Sequence, residues 1–287
     1  MQITKIAKTK SGVQDGAIFG KYLFRFDAAG NCGVYDMESI DTAGGGEVMP
    51  IAEFRLDRAD LIAPHSNSVV FGAEYFAEGD EFPLLYTNIY NNYAAAADKL
   101  IGVSCVYRIT RSGEKFESAL VGLIEIGFTS ERGLWRSSGE TEDARPYGNF
   151  VIDRERGIYY AFVMRDSERS TRYFSFELPR LTDGIFDERF GVKRVTLSAA
   201  EIKDYFDTPY HHFIQGACFF DGKIYSVEGF GEKIHPAIRV IDTTERRQVF
   251  YLDFFEAGAP FESEFIDFHD GRCYYGDHYG NLYALDF

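Results

Sequence analysis

One local pattern recurs along this chain and limits what it can fold into: a glycine, usually followed by a basic residue, leads within a few positions to a tyrosine. It is found at Gly20-Lys21-Tyr22, Gly157-Ile158-Tyr159, Gly222-Lys223-Ile224-Tyr225 and Gly271-Arg272-Cys273-Tyr274. In Asp221-Gly222 and Asp270-Gly271 the pattern is a strong hairpin signal, because a tight two-residue turn needs positive φ, which glycine adopts without steric cost. A short apolar strand precedes each turn, at residues 17–19, 150–152, 217–220 and 265–268. A second strand follows, then a polar loop, then a third strand closing on an apolar residue and an acid, as in Tyr35-Asp36, Phe176-Glu177, Ile241-Asp242 and Leu285-Asp286. A fifth, more divergent copy starts at His65, with strands expected at 68–72, 84–90 and 103–109.

Fourth strands are expected at residues 49–56, 119–127, 192–197 and 248–254, while the last unit stops at Phe287 after its third. Residues 2–8 alternate in strand fashion and belong to no unit, so they are expected to complete the last sheet and close a ring, which removes an open sheet edge. These units resemble blades of the β-propeller superfamily. The expected fold is therefore all-β, a five-bladed β-propeller whose N-terminal strand closes the last blade, over residues 1–287 as a single domain. A pair of β-sandwiches would not explain repeated four-strand units with one strand missing and one spare. The 27 Phe and 19 Tyr against one Trp suit half-buried pleated strands.

Unit spacing slightly exceeds the roughly 40 to 50 residues of common blades. The surplus is assigned to residues 91–101, to the polar stretch 130–145, and to 198–206, where Ser198 and Glu201 stand in capping-box spacing and a short helix is expected. Residues 44–46 read as a flexible glycine loop without the Lys-Ser/Thr of a phosphate loop.

Charge narrows the partners. With 45 acidic and 30 basic residues the net charge is −15, a field that repels nucleic-acid phosphates and anionic membranes. Residues 1–10 are not followed by an apolar stretch of signal-peptide length and nowhere do 18 apolar residues run together, so no membrane partner is expected, and the charge argues against nucleic acid. Cys32, Cys105, Cys218 and Cys273 form no CxxC pair and sit in apolar strand-like runs, so buried free thiols and a reducing cytoplasm are expected. Oligomeric state is not legible.

In such a ring the innermost strands line a central channel, and counting back from each hairpin glycine picks out residues at its mouth. These are Gln14 and Asp15, His65 and Asn67, Tyr147 and Asn149, His212 and Gln215, and Glu262 and Glu264. Gln215 and Glu264 share one offset before Gly222 and Gly271 and are expected to point the same way. Loops between second and third strands add Arg25, Asp27, Asn88, Tyr90, Asn91, Arg165, Asp166, Glu228, Asp277 and His278 to the rim. Of the adjacent His211 and His212, only one can face the channel, and His212 is the expected one. His269 falls on the opposite face. Neither HExxH nor an EF-hand occurs, so no metal and no cofactor is expected. GxSxG is absent as well.

Residues 212–217 and 262–267, each followed by a Gly-basic-x-Tyr hairpin, resemble helveticin-like and sugar-handling five-bladed propellers. The repeated polar residues at the inner-strand starts predict a small polar or carbohydrate-like ligand, held through Gln14, His65, Asn67, Asn149, His212, Gln215, Glu262 and Glu264. Relatedness to five-bladed glycosidases would further imply an acid and a base about 5 to 10 Å apart across the channel. Asp15, Glu228 and Glu264, assisted by His212, are then the catalytic candidates of a glycoside hydrolase or lyase. Against it, the first unit lacks a His-Asp-Pro opening and the third brings Asn149 where a carboxylate is wanted. A third reading, a protein-interaction scaffold, would use residues 91–101 and 130–145.

Overall fold

The computed structural model describes residues 2–10, 14–62, 64–89, 100, 102–128, 145–165, 170–211 and 213–287, the side chains of 145–148 and 163–165 excepted. The chain opens with strand β1 (Gln2–Lys8) and then builds blade 1 from β2 (Gly16–Phe19), β3 (Tyr22–Phe26), β4 (Asn31–Asp36) and β5 (Ala52–Arg55). Helix α1 (Met37–Thr42) lies between β4 and β5, and helix α2 (Ala59–Ile62) follows them. Blade 2 begins with β6 (His65–Phe71), β7 (Leu85–Ile89), β8 (Val103–Ser112) and β9 (Lys115–Ile126). Blade 3 runs through β10 (Arg145–Asp153), β11 (Ile158–Arg165) and β12 (Ser170–Glu177), after which come β13 (Ile185–Asp187), β14 (Val192–Leu197) and β15 (Asp204–Thr208). Blade 4 is β16 (Ile214–Phe220), β17 (Lys223–Glu228), β18 (Ala237–Asp242) and β19 (Arg247–Asp253). Blade 5 is β20 (Ser263–His269), β21 (Arg272–Asp277) and β22 (Asn281–Asp286), with β1 added outside β22.

The chain is thus a five-bladed β-propeller. Inner strand β2 lies between β6 and β20, and β10 and β16 complete the circle. Closure is antiparallel, from Gln2 opposite Asp286 to Lys8 opposite Asn281. Five apolar clusters fill the five blade boundaries, and aromatic rings meet across them. Phe24 meets Phe71 between blades 1 and 2 (5.2 Å), Tyr160 stacks on Phe219 between 3 and 4 (5.7 Å), and Phe254 on Tyr275 between 4 and 5 (4.5 Å). The tyrosine and phenylalanine excess is the filling between wedge-shaped sheets. Asp221 and Asp270 adopt φ of 46° and 49° ahead of their glycines, as the hairpin signal requires.

Three expectations are corrected. The strand at 192–197 does not close blade 3. As β14 it runs parallel to β9, carrying β13 with it, so blade 2 has six strands. Arg194 ties that junction by pairing with both Asp187 (2.5 Å) and Glu125 (3.2 Å). Blade 3 instead takes β15, where Arg172 and Asp207 form a two-pronged ion pair (2.6 and 2.9 Å) and Phe206 stacks on Tyr173. The expected helix at 198–206 contracts to one 3-10 turn, Ala199–Glu201, capped by Ser198 and Glu201, because the residues after it are drawn into β15.

Residues 44–46 are not a free loop either. Gly45 N–H donates to Ile6 O (2.6 Å), Lys8 N–H to Gly46 O (2.8 Å) and Val48 N–H to Lys8 O (2.9 Å), so this segment covers the outer edge of the closing strand. Met37 and Ile40 of α1 join Ile6 and Ala7 in the same cluster. Among the described residues no helix is long and apolar enough to cross a membrane. All four cysteines are buried and free, and burial raises each thiol pKa.

Candidate functional site

The inner strands begin irregularly, and the irregularity decides where their first side chains go. Register jumps between Ile214 and Gly216 and again between Ser263 and Phe265, leaving Gln215 and Glu264 as the bulged residues of blades 4 and 5. Register also shifts between His65 and Val69 and between Arg145 and Asn149. A β-bulge frees a residue from the ladder and re-aims its side chain, a device common beside functional sites. His65, Ser66 and Phe213 hold positive φ of 60°, 55° and 55° at these same strand starts, a conformation non-glycine residues adopt at some cost.

Around this mouth a charged cluster is buried. Asp15 is fully buried, and its Oδ2 accepts Val69 N–H (2.9 Å) from the neighbouring blade while its own N–H donates to Ser66 O (3.1 Å). Glu264 accepts from Gln14 Nε2 (3.3 Å), and Gln215 Nε2 donates to Glu262. Arg25, only 1% exposed, acts on both buried carboxylates by its charge while it donates from Nη2 to Gln14 O (3.2 Å) and rests on the Phe265 ring (4.9 Å). Two glycines make the space. A Cβ on Gly276 would lie 2.3 Å from Arg25 Nη1, and one on Gly216 would meet Glu264 O at 2.7 Å and Asp15 Oδ1 at 3.1 Å.

The electrostatics follow from burial. Desolvation pushes the Glu264 carboxyl well above its ordinary range; Glu262 and Asp15 push the same way, and Arg25 opposes them. Asp15 is likewise raised by burial, against the backbone N–H groups of Gly16 and Val69. Burial also raises Glu262 and lowers Arg25 to about 10. Asp15 Oδ1, Glu264 Oε2, and Arg25 Nε and Nη1 make no hydrogen bond among the described residues although all are buried.

Other expected residues have partners of their own. Asn67, Asn88 and Asn149 form a buried amide chain: Asn67 N–H donates to Asn88 Oδ1 (3.0 Å), and Asn88 Nδ2 donates to Asn67 Oδ1 and to Asn149 Oδ1 (3.1 Å). His65 is half-buried, and burial lowers its imidazole pKa. Glu228 is buried against Arg239, which donates to it at 2.9 Å. His211 is fully buried with its N–H on Thr171 Oγ1 (2.9 Å) and its ring beside Tyr173, Thr208 and Ser226. His212, Tyr90, Asn91 and Asp166 lie outside the described residues, as do 91–99, 101 and 130–144, and the side chains of Tyr147 and Arg165.

Asp27 and Asp277 spend their oxygens on turns of one design. Each accepts the N–H groups two and four residues on, at 2.9 to 3.0 Å, and the Nδ2 of Asn31 or Asn281 at 2.7 Å. The matching sequence, Asp-x-x-Gly-Asn, was visible at both places. Arg25, expected on the rim in the loop between second and third strands, is instead buried within β3; its place between Phe24 and Phe26 was the signal. Among the described residues no three His, Cys, Asp or Glu side chains converge as metal ligands.

No protein-family model and no curated protein sequence matches the chain. Among solved structures it is similar to Myxococcus xanthus glutaminyl cyclase, with 13% identity, 100% of this chain and 94% of that chain covered, and a TM-score of 0.48. It is also similar to a luciferin-regenerating enzyme (10% identity, 100% and 95% covered, TM-score 0.48) and to the computationally designed protein Ika8 (9%, 99% and 100%, TM-score 0.39). At such values none of their chemistry transfers to this chain.

Proposed function

We propose that the strand-start mouth of the channel binds a small, hydroxyl-rich, carbohydrate-like ligand. The observation that carries this reading is the set of unspent valences in one buried cluster: acceptors on Asp15 and Glu264, donors on Arg25. Leaving buried polar atoms unpaired costs about 1–3 kcal/mol each, more when charged. A hydroxyl group donates and accepts at once, so neighbouring hydroxyls match adjacent acceptors and donors better than an amine or a carboxylate would. Gln14, Gln215 and Glu262 form the half-buried rim over them, and the strained starts at His65 and Phe213 support a rigid, pre-shaped mouth.

The hydrolase or lyase reading retains Asp15 and Glu264 as neighbours, while Glu228 is engaged by Arg239. Binding therefore stands first. The test is saturation binding against a panel of glycans, polyols and sugar acids, repeated with Glu264→Gln and Gln215→Ala. A saturable ligand that loses about tenfold or more in affinity with Glu264→Gln supports the site. A ligand indifferent to both changes, or a panel with no saturable member, overturns it.

A further inference from the structure

The opposite end of the channel, where the inner strands turn into their hairpins, carries a separate cavity of about 800 Å³. Arg154, from the turn after β10, spans it by donating from Nε to Phe71 O (2.6 Å) at the end of β6. With Nε so fixed, the Nη groups make no further hydrogen bond or ion pair among the described residues, and Arg154, whose charge acts on Asp267, lines the cavity together with Phe219, Phe220 and Phe268. Phe220 and Phe268 are stacked at 4.1 Å with their planes 4° apart, and all three rings are half-buried.

Of the five carboxylates around the cavity, Asp153, Asp242 and Asp267 have already spent oxygens on the backbone, while Asp221 lies 3.9 Å from Lys223 and Glu155 is the fifth. Asp267 accepts Ile18 N–H on Oδ2 (2.7 Å) and Phe268 N–H on Oδ1 (2.8 Å). Asp242 Oδ1 accepts Thr244 and Glu245 N–H groups (2.9 and 2.8 Å), and Asp153 Oδ1 those of Glu155 and Arg156 (both 3.1 Å). Arg156 in turn sits 3.3 Å from Asp153. The strongest hydrogen-bonding valence left to a ligand is the Arg154 fork, whose planar geometry matches a carboxylate. The surrounding acids limit the tolerated charge to one, and the phenylalanine faces favour a flat apolar body.

We propose that this hairpin-side mouth is a second binding site, selective for a small aromatic or planar monocarboxylate anchored by Arg154. Benzoate is the probe, titrated into the full chain with calorimetric and amide-resonance readouts. Saturable binding is expected, with the Gly222 and Phe268 amides among the resonances that move. Arg154→Gln should weaken it about tenfold or more, and Arg154→Lys by less, since one charge remains without the fork. Should Arg154→Gln fail to fold, Phe220→Leu, which removes a ring face at a half-buried position, is expected to weaken benzoate several-fold. Benzoate that does not saturate, that binds Arg154→Gln or Phe220→Leu as tightly as the parent, or that is outcompeted by benzylamine overturns the proposal.

Discussion

Asp15 and Asp267 stand at opposite ends of one channel and do the same structural work with different remainders. Each is an aspartate on or beside an inner strand, and each accepts a backbone N–H from the inner strand of an adjacent blade: Val69 for Asp15, Ile18 for Asp267. Asp267 then accepts Phe268 N–H on its second oxygen, whereas Asp15 Oδ1, with the Gly16 N–H beside the carboxyl, completes no hydrogen bond among the described residues. One aspartate is consumed by the fold and the other is half consumed. Adjacent strands can be stitched at the hub without leaving valence over, so the surplus around Asp15, Arg25 and Glu264 is not a by-product of building a ring.

Removing the cation at the strand-start mouth should have the largest effect. Arg25→Met removes the cluster's cation and its hydrogen bond to Gln14 O, leaving Asp15 and Glu264 buried without a counter-charge, and should cost about 2–3 kcal/mol. The loss, read by denaturant unfolding, should grow as pH rises and the two carboxyls ionise. A smaller loss, independent of pH, would remove Arg25 from the cluster's electrostatics.

The aspartates themselves should respond to the same substitution in opposite ways. Asp267→Asn sets an amide N–H₂ against one of two N–H donors and should lose on the order of 1–2 kcal/mol. Asp15→Asn can still accept Val69 N–H while shedding a buried charge, and should be neutral or slightly stabilising. Equal losses at both positions, measured by melting temperature in one buffer, would erase the distinction between the two ends.

How much of this was legible follows from the range over which each feature is specified. The hairpins were readable because Asp221-Gly222 and Asp270-Gly271 settle their turns within two residues, and ring closure followed from counting strands. The placement of β14 was not readable. Residues 192–197 alternate in a manner that suits either sheet, and a parallel pairing with β9 leaves no turn signal. The strand-start count reached Gln14, Asp15, Gln215 and Glu264 because position in a repeat is local information. It could not foresee the bulges, or that Arg25 would occupy space left by Gly276, which is distant in sequence. Nor could it separate Asp27 and Asp277, bound up in their own turns, from Asp15.

The cluster of Asp15, Arg25 and Glu264 is held at a cost to folding, and stability against pH for the parent and Glu264→Gln measures that cost most directly. Because burial raises the folded-state pKa of Glu264 above its unfolded value, the folded chain retains a proton that the unfolded chain has released, and stability falls as pH climbs through that window. Glutamine titrates nowhere. The two unfolding curves should therefore diverge as pH rises above about 4, the unperturbed carboxyl range, with the variant the more stable once the folded-state carboxyl has ionised. A variant less stable than the parent at pH 8, by a margin that pH does not change, would make Glu264 a structural residue and contradict the account.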